Sequence, residues 1–327
     1  MKIKSILVTA VAPFDDHAAN RGEKLLGNAS SIKRRPDGRV YVSGQMQRHA
    51  LFSAVDRLNR NSEGAGDTFV ANGDAPTTDI GRDLRSDLGG FLDTNKGNYS
   101  GRRTAPVSAT PAVALRPSRV GRDLLVRLKM DNRKGTGGDA EGRDQVIATN
   151  EYSQNDEMVM NFSLDVGAVG MIKKYQYGKY EGDGDKATEF AHVNTVFDPE
   201  IDEVEHARRC RLFLEATASI TDYANQARNA VSGEPSRVLI VLDPKHSRKA
   251  VRYWKEIDPA PNETEEQARE RAERKATERR SILAELDDRG ALYFIGDDTG
   301  QHSDTPVYEA YKQAIDAFER NELYRPV

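Results

Sequence analysis

The sequence predicts an α+β fold: strands set apart along the chain, helices between them, and long polar insertions. Three observations carry this expectation. Residues 158–166 alternate, with Met158, Met160, Phe162, Leu164 and Val166 on one side of a half-buried strand. Residues 237–242 (Arg-Val-Leu-Ile-Val-Leu) form the strongest core-strand signal of the chain. In residues 43–58, by contrast, Met46, Ala50, Leu51, Ala54, Val55 and Leu58 recur on one helical face.

Taken in order, residues 3–12 are rich in branched side chains and read as the first strand. A polar stretch over 13–37 carries Arg21, Lys24, Lys33, Arg34 and Arg35. It ends at Asp37-Gly38, a turn pair that makes 32–35 and 39–42 the arms of a hairpin. Ser43 is placed to cap the helix that follows. The first turn of that helix offers free backbone N–H groups to a phosphate, with Arg48 close by. Residues 59–106 are poor in apolar side chains and too long for an ordinary surface loop, so they read as an inserted arm or lobe.

Residues 124–130 form a strand candidate, and 131–144 a Gly-rich flexible loop at the tip of a hairpin. Tyr175, Tyr177 and Tyr180 lie among lysines, and Asp183 to Asp185 mark another loop. Residues 202–230 read as a helix stopped by Gly233 and Pro235. Residues 259–289 become a charged peripheral helix whose thin stripe is Ala268, Ala272 and Ala276, continued by Leu283 and Leu286. A last strand is expected at 291–295 and a last helix at 307–318. The order is compatible with a ferredoxin-like sheet.

Composition limits the function. The formal net charge over 327 residues is −4, yet residues 1–60 hold eleven Lys or Arg against five Asp or Glu. Local basic surface matters more for gripping phosphates than the whole-chain value. The single cysteine, Cys210, excludes an internal disulfide and a Cys-cluster zinc site, and its place beside Leu212 and Phe213 fits a buried, inert thiol. No apolar run reaches the roughly 18 residues of a membrane span. The residues after Met1 are too soon interrupted for a signal peptide, so a cytoplasmic chain is expected. His17 follows Asp15 and Asp16, which fits a solvated acidic turn better than a metal site. No HExxH, nucleophile elbow or P-loop is present, so no catalytic set, metal or cofactor is expected. The basic residues around 21–49 suit phosphates as well as they suit an ordinary solubilising surface. The tyrosines suit packing better than base stacking.

One run adds a resemblance. Val42-Ser43-Gly44-Gln45-Met46-Gln47-Arg48-His49-Ala50-Leu51 resembles an element of Cas7 proteins, nearest to the DevR/Cst2-like branch of type I-B CRISPR systems. Residues 79–92 resemble a further family stretch, with Gly89-Gly90 in place of a bulkier pattern. Arg102-Arg103-Thr104-Ala105-Pro106-Val107, Asn150-Glu151-Tyr152 and residues 162–170 agree in order, so the likeness spans residues 1–242 in scattered blocks.

The resemblance implies an RRM-like or ferredoxin-like core with inserted lobes compared to a palm, fingers and a thumb. Residues 1–58 and 107–327 would be the palm with its insertions, and 59–106 the thumb-like arm. It implies a non-catalytic backbone subunit that polymerises head to tail along a guide RNA (crRNA), holds its phosphates and presents bases to target DNA. Implied partners are further copies of the chain, Cas5, a Cas6-type protein and a Cas8-like subunit, with Tn7-like transposition proteins in some systems. RNA contact is carried to Ser43, Gln45, Arg48 and His49, and with them to Arg21, Lys24, Arg34, Arg35, Arg102, Arg103 and Asn132. Two alternatives stand beside this reading. One is a type III-like subunit that cleaves target RNA with a loop aspartate, for which Asp74, Asp79, Asp83 or Asp139 would have to serve. The other is a protein-binding scaffold.

Overall fold

The computed structural model describes residues 1–20, 22, 24–25, 29–61, 77–92, 102–129, 144–180, 189–227 and 229–326. Short β1 (Lys2–Ile3) leads into the thirteen-residue β2 (Ser5–His17). Then come β3 (Lys24–Leu25), β4 (Ala29–Ser30), β5 (Tyr41–Val42) and α1 (Gly44–Asn61). Next are α2 (Leu84–Gly89), β6 (Phe91–Leu92), β7 (Arg102–Arg103), β8 (Val107–Ala109) and β9 (Ala112–Ala114). Two antiparallel ribbons follow: β10 (Val120–Lys129) with β11 (Asp144–Asp165), and β12 (Met171–Tyr180) with β13 (Glu189–Pro199). The chain closes with α3 (Glu203–Ala216), β14 (Arg237–Asp243), α4 (Glu265–Asp288), β15 (Leu292–Asp297), α5 (Val307–Glu319) and β16 (Glu322–Leu323). None of the helices is long and apolar enough to cross a membrane, among the described residues.

The central sheet runs β15-β14-β2-β11, antiparallel throughout, and β11 is flanked further by β8 and β9. Strand alternation assigns its faces. On one, Ile6, Val8 and Ala10 of β2, Met158, Met160 and Phe162 of β11, and Val238 and Ile240 of β14 meet the apolar sides of α1, α3 and α5. On the other, Leu7, Val11, Leu239 and Val241 are covered by Tyr253, Trp254 and the α4 residues Ile282 and Leu286. Trp254 anchors this cover, its indole N–H donating to Thr9 O at 3.0 Å. The fold is therefore α+β, as expected, with both sheet faces at least partly clothed.

The hairpin at Asp37-Gly38 forms as its turn pair implied. Arg34 bridges Val40, Gly38 N–H donates to Arg35 O at 2.9 Å, and Gly38 takes the positive φ that a side chain resists. The 131–144 loop falls almost wholly outside the described residues, and β10 and β11 flank it. Cys210 is buried in α3 as expected, and burial pushes its thiol pKa well above the ordinary value.

Other expectations are corrected. The helix placed over 202–230 ends at Ala216. Thr217 turns its hydroxyl back to Leu214 O at 2.7 Å, and the chain then folds Ile220, Tyr223 and Val231 into the core as a loop. The alanine stripe of α4 is not its packing side: Ala272 and Ala276 are exposed, whereas Lys275, Ile282 and Leu286 are buried. Lys275 lays its stem on the fold and donates to Arg252 O at 2.8 Å, and Arg279 donates to Tyr253 O at 3.1 Å. The tyrosines at 175, 177 and 180 belong to β12, a strand that the lysines between them concealed.

His17 is neither in a solvated turn nor in a metal cluster. It is buried against Phe14, accepts from Ala19 N–H through Nδ1, and donates from Nε2 to Asp156 at 2.8 Å. Burial alone would raise the Asp156 carboxyl pKa. Hydrogen bonds from His17, Ser118 and Ser153 outweigh it and hold the group below its ordinary value of 3.8.

Two outcomes are expected. Leu51→Ala, at a fully buried site of α1, lowers unfolding stability by about 2–5 kcal/mol in urea titration. A carboxyl with a depressed folded pKa contributes stability that is present above its unfolded value and is lost as pH falls through the folded one. The urea midpoint should therefore drop as pH falls below about 3.8, and Asp156→Asn should flatten that acid limb while lowering the midpoint at neutral pH.

Candidate nucleic-acid interface

The start of α1 sits against the sheet edge. Ser43 caps it, its hydroxyl accepting from Met46 N–H at 3.3 Å and its carbonyl from Gln47 N–H at 2.9 Å. Gly44 comes so near β8 that an added Cβ would lie 3.0 Å from Ala109 O. Helical spacing then brings Gln45, Arg48 and His49 to one side, with Phe52 a turn further on. These residues line a cleft of about 560 Å³ whose opposite wall is Arg85, Gly89 and Gly90 of the α2 segment. None of the described residues lining it is acidic. Asp222 accepts from Ser53 Oγ at 2.8 Å and lies 3.5 Å from His49 Nε2.

Two arginines share the cleft. The Arg48 guanidinium donates to Gly89 O at 2.5 Å, and its carbon lies 5.8 Å from the Phe52 ring centroid; that of Arg85 lies 5.9 Å from the same ring. Burial, and after it the charge of Arg85, lowers the Arg48 pKa. An anion placed between the two guanidinium groups would relieve that repulsion. Space is tight at Gly89 and closed at Gly90. A Cβ on Gly89 would come within 3.3 Å of both Arg48 Nη2 and Phe52, and Gly90, at φ +68°, would meet Arg103 O at 2.5 Å.

A buried ion cluster holds this wall in place. Asp87 is fully buried on α2, and its carboxylate accepts from Gly170 N–H at 2.9 and 3.0 Å and from Arg209 Nη1 at 2.6 Å. It also takes the Arg103 guanidinium, which in addition donates to Ala168 O at 2.7 Å. Arg209, likewise buried, donates to Ile80 O and Gly81 O, both at 2.6 Å, and to Glu205 at 2.7 Å. Residues 77–92 are thus packed into the body of the fold through Ile80, Leu84 and Leu88, although the sequence places them inside the expected 59–106 arm.

Of the residues expected to contact RNA, the structure brings Gln45, Arg48 and His49 into the lining of one cleft, with Ser43 capping the helix that carries them. Arg34 lies on the 32–42 hairpin, 3.5 Å from Glu151, and Arg35 is exposed at the turn; neither lines the cleft. Arg103 is committed to the buried cluster, its side chain only 10% exposed. Arg21 and Asn132 lie outside the described residues, and Lys24 and Arg102 are described only as backbone in β3 and β7. Arg85 was not singled out. Its signal was the pair Leu84 and Leu88, which turn inward and leave 85 outward on the same short helix. The candidate cleavage residues Asp79 and Asp83 serve local structure, accepting from the N–H groups of Arg82 and Ser86. Asp74 and Asp139 lie outside the described residues.

A family model described as the CRISPR-associated negative auto-regulator DevR/Csa2 matches residues 8–233. The chain belongs to the DevR/Csa2 family. The matched stretch holds the α1 cleft, the α2 wall and the whole buried cluster. Among solved structures, the chain is similar to one in a CRISPR RNA-guided surveillance complex, at TM-score 0.55 and 12% identity, covering 96% of this chain and 99% of that one. It is also similar to one in a CRISPR RNA-guided surveillance complex in a pre-nicking state, at TM-score 0.51 and 11% identity, covering 99% and 96%. No curated protein matches it. At such identities the likeness is one of fold.

The DevR/Csa2 chain should depend on its buried ions. Asp87→Ala leaves the half-buried Arg103 without its carboxylate and the buried Arg209 with Glu205 alone, and should cost about 3–5 kcal/mol of stability, read as a lowered urea midpoint.

Proposed function

We propose that this DevR/Csa2 chain is a Cas7-type backbone subunit of a type I-B-like CRISPR surveillance complex and grips the phosphates of a guide RNA without cutting it. The observation that carries the reading is the α1 cleft. A capped helix start, two arginines against one ring and a glycine wall converge at the element that resembles the Cas7 motif. Such a site takes a phosphate by charge and shape and ignores the base attached to it. That is what a subunit repeated along a guide of arbitrary sequence needs.

The sheet fits the same reading. Strand order β14-β2-β11-β8/β9, with α1 following β2 and α3 preceding β14, supports an RRM-like reading of the sheet. The β10–β11 and β12–β13 ribbons are then lobes of a palm with fingers and a thumb. Head-to-tail copies would stack along the guide through open heterologous contacts. Cas5, Cas6-type and Cas8-like subunits would complete the complex, with target DNA pairing to the exposed bases. The use of Asp79 and Asp83 as turn and cap residues favours holding over cleavage.

The test is co-purification followed by filter binding. The chain, expressed with a guide RNA, should bring down RNA of uniform length together with several copies of itself. Arg85→Glu should weaken guide binding about tenfold at low salt, whatever the guide sequence, and should flatten the salt dependence by about one unit of slope. A well-folded preparation that binds no RNA, or binds it equally well after Arg85→Glu, would falsify the reading.

A further inference from the structure

Residues 322–326 cross three separate stretches of the fold. β16 runs parallel to β1, with Glu322 N–H donating to Met1 O at 3.2 Å and Tyr324 N–H to Ile3 O at 2.8 Å. Lys2 and Glu322 pair at 2.8 Å, and the Lys2 and Lys4 ammonium groups stand 5.9 and 5.1 Å from the Tyr324 ring centroid. That ring closes over the turn between β11 and β12. An added Cβ on Gly167 would lie 2.7 Å from Tyr324 Cδ1, with Pro326 Cδ at 3.5 Å. Arg325 completes the crossing: its guanidinium donates to Ile201 O at 2.7 Å and reaches Met171 Sδ at 4.0 Å.

The turn beneath this segment is the one on which the cleft wall hangs. Its start is tied to the body: Val166 N–H donates to Lys4 O at 3.0 Å, and His206 Nε2 holds Val166 O at 2.8 Å. Its end carries the groups that meet the buried cluster. Gly170 N–H donates to Asp87, Met171 O accepts from Arg103 Nη1 at 2.5 Å, and Ala168 O accepts from Arg103 Nη2 at 2.7 Å. Arg103 pairs with Asp87, and Gly90 is pressed against Arg103 O. Gly170 itself, at φ +64°, sits so close to Ile201 that an added Cβ would lie 2.1 Å from its Cδ1. Arg325 spans that contact, since it holds both Met171 and Ile201. Direct contacts therefore run from Tyr324 and Arg325 through residues 166–171 to Asp87 and Arg103, and from there to α2 with Arg85 and Gly89. The residues lining the cleft include none from 322–326.

We infer that residues 322–326 are a clasp that sets the wall of the α1 cleft, with Tyr324 and Arg325 as positioning residues that act on guide RNA through the 166–171 turn. The inference rests on the RNA-holding reading of the α1 cleft and extends it to residues beyond the matched 8–233 stretch. A ligand site needs its contacting side chains held by a supporting layer. Here the clasp fixes where Arg85 and Gly89 stand opposite Arg48, and so how closely two guanidinium groups converge on one phosphate.

Fluorescence anisotropy with a labelled guide RNA on the purified full-length chain tests it, beside amide hydrogen exchange of the RNA-free chain. Both are run where urea titration shows each variant folded. Arg325→Ala and Tyr324→Ala should each weaken the guide about fivefold and speed exchange at Gly170 and over residues 84–90. Tyr324→Phe keeps the ring and should change neither. Gly167→Ala, which pushes the ring out from below, should act as Tyr324→Ala does. The deciding readout is a double-mutant cycle with Arg85→Ala. In that background Arg325→Ala should cost clearly less than it does alone, because the side chain it positions is gone. Additive losses would mean that Arg325 meets RNA itself, and would overturn the clasp. So would a loss of affinity that follows the urea midpoint, with exchange quickened throughout the chain. If Arg325→Ala and Tyr324→Ala bind normally while Arg85→Ala is weakened, the clasp is wrong and the cleft reading stands. If Arg85→Ala also binds normally, the cleft reading fails and the inference with it.

Discussion

The carboxylate of Asp87 has Gly170, Arg103 and Arg209 as partners, and these come from three distant stretches of chain. Arg209 in turn holds the carbonyls of Ile80 and Gly81 and the carboxylate of Glu205. Neither ion could be buried alone, because desolvation of an unpaired charge costs several kcal/mol. Together they set α2 at a defined place beside α3 and the turn after β11. Everything at the cleft follows from that placement. Gly89 comes to rest under Arg48, Arg85 is turned toward Phe52, and the helix start of α1 acquires a facing wall.

The two faces of the sheet divide the labour. The α1, α3 and α5 side is a continuous apolar core, and it fixes α1 against the sheet through Ala50, Leu51, Ala54 and Val55. The other side is dry only where Trp254 and α4 cover β2, β14 and β15. Over β11 and β8 the same face is polar and incompletely filled. An ordinary RRM protein stacks bases on aromatic side chains of its open sheet. Here the row on β11 is Asn161, Ser163 and Asp165, which carries amide, hydroxyl and carboxylate groups in place of rings.

What the sequence made legible was local. The α1 face, the Ser43 cap, the Asp37-Gly38 turn and the β14 run depend on neighbours within a turn or a strand, and each formed as expected. The site was legible in part for the same reason: Gln45, Arg48 and His49 are one helical side. What stayed hidden depends on partners far along the chain. Nothing near Arg103 marks it as inward-facing, since its partner Asp87 lies across the 93–101 stretch and its other acceptors beyond residue 167. His17 looked solvated beside Asp15 and Asp16 because Asp156 is 139 residues away. The α4 face was misread because burial there falls on the stems of Lys275 and Arg279, which a hydrophobic count scores as polar.

Strand β11 runs for twenty-two residues, its first part paired with β10 and its later part locked between β2 and β8. At roughly 3.4 Å per residue it is about 75 Å long. No turn or loop interrupts it where ribbon passes into sheet, so the two have no joint at which to bend. A force on the outer end is transmitted along one backbone and loads the β2–β11 hydrogen bonds in shear, all at once rather than one after another. The ribbon is thereby a cantilever rooted in the core, able to bear a load from whatever it touches without loosening its own anchorage.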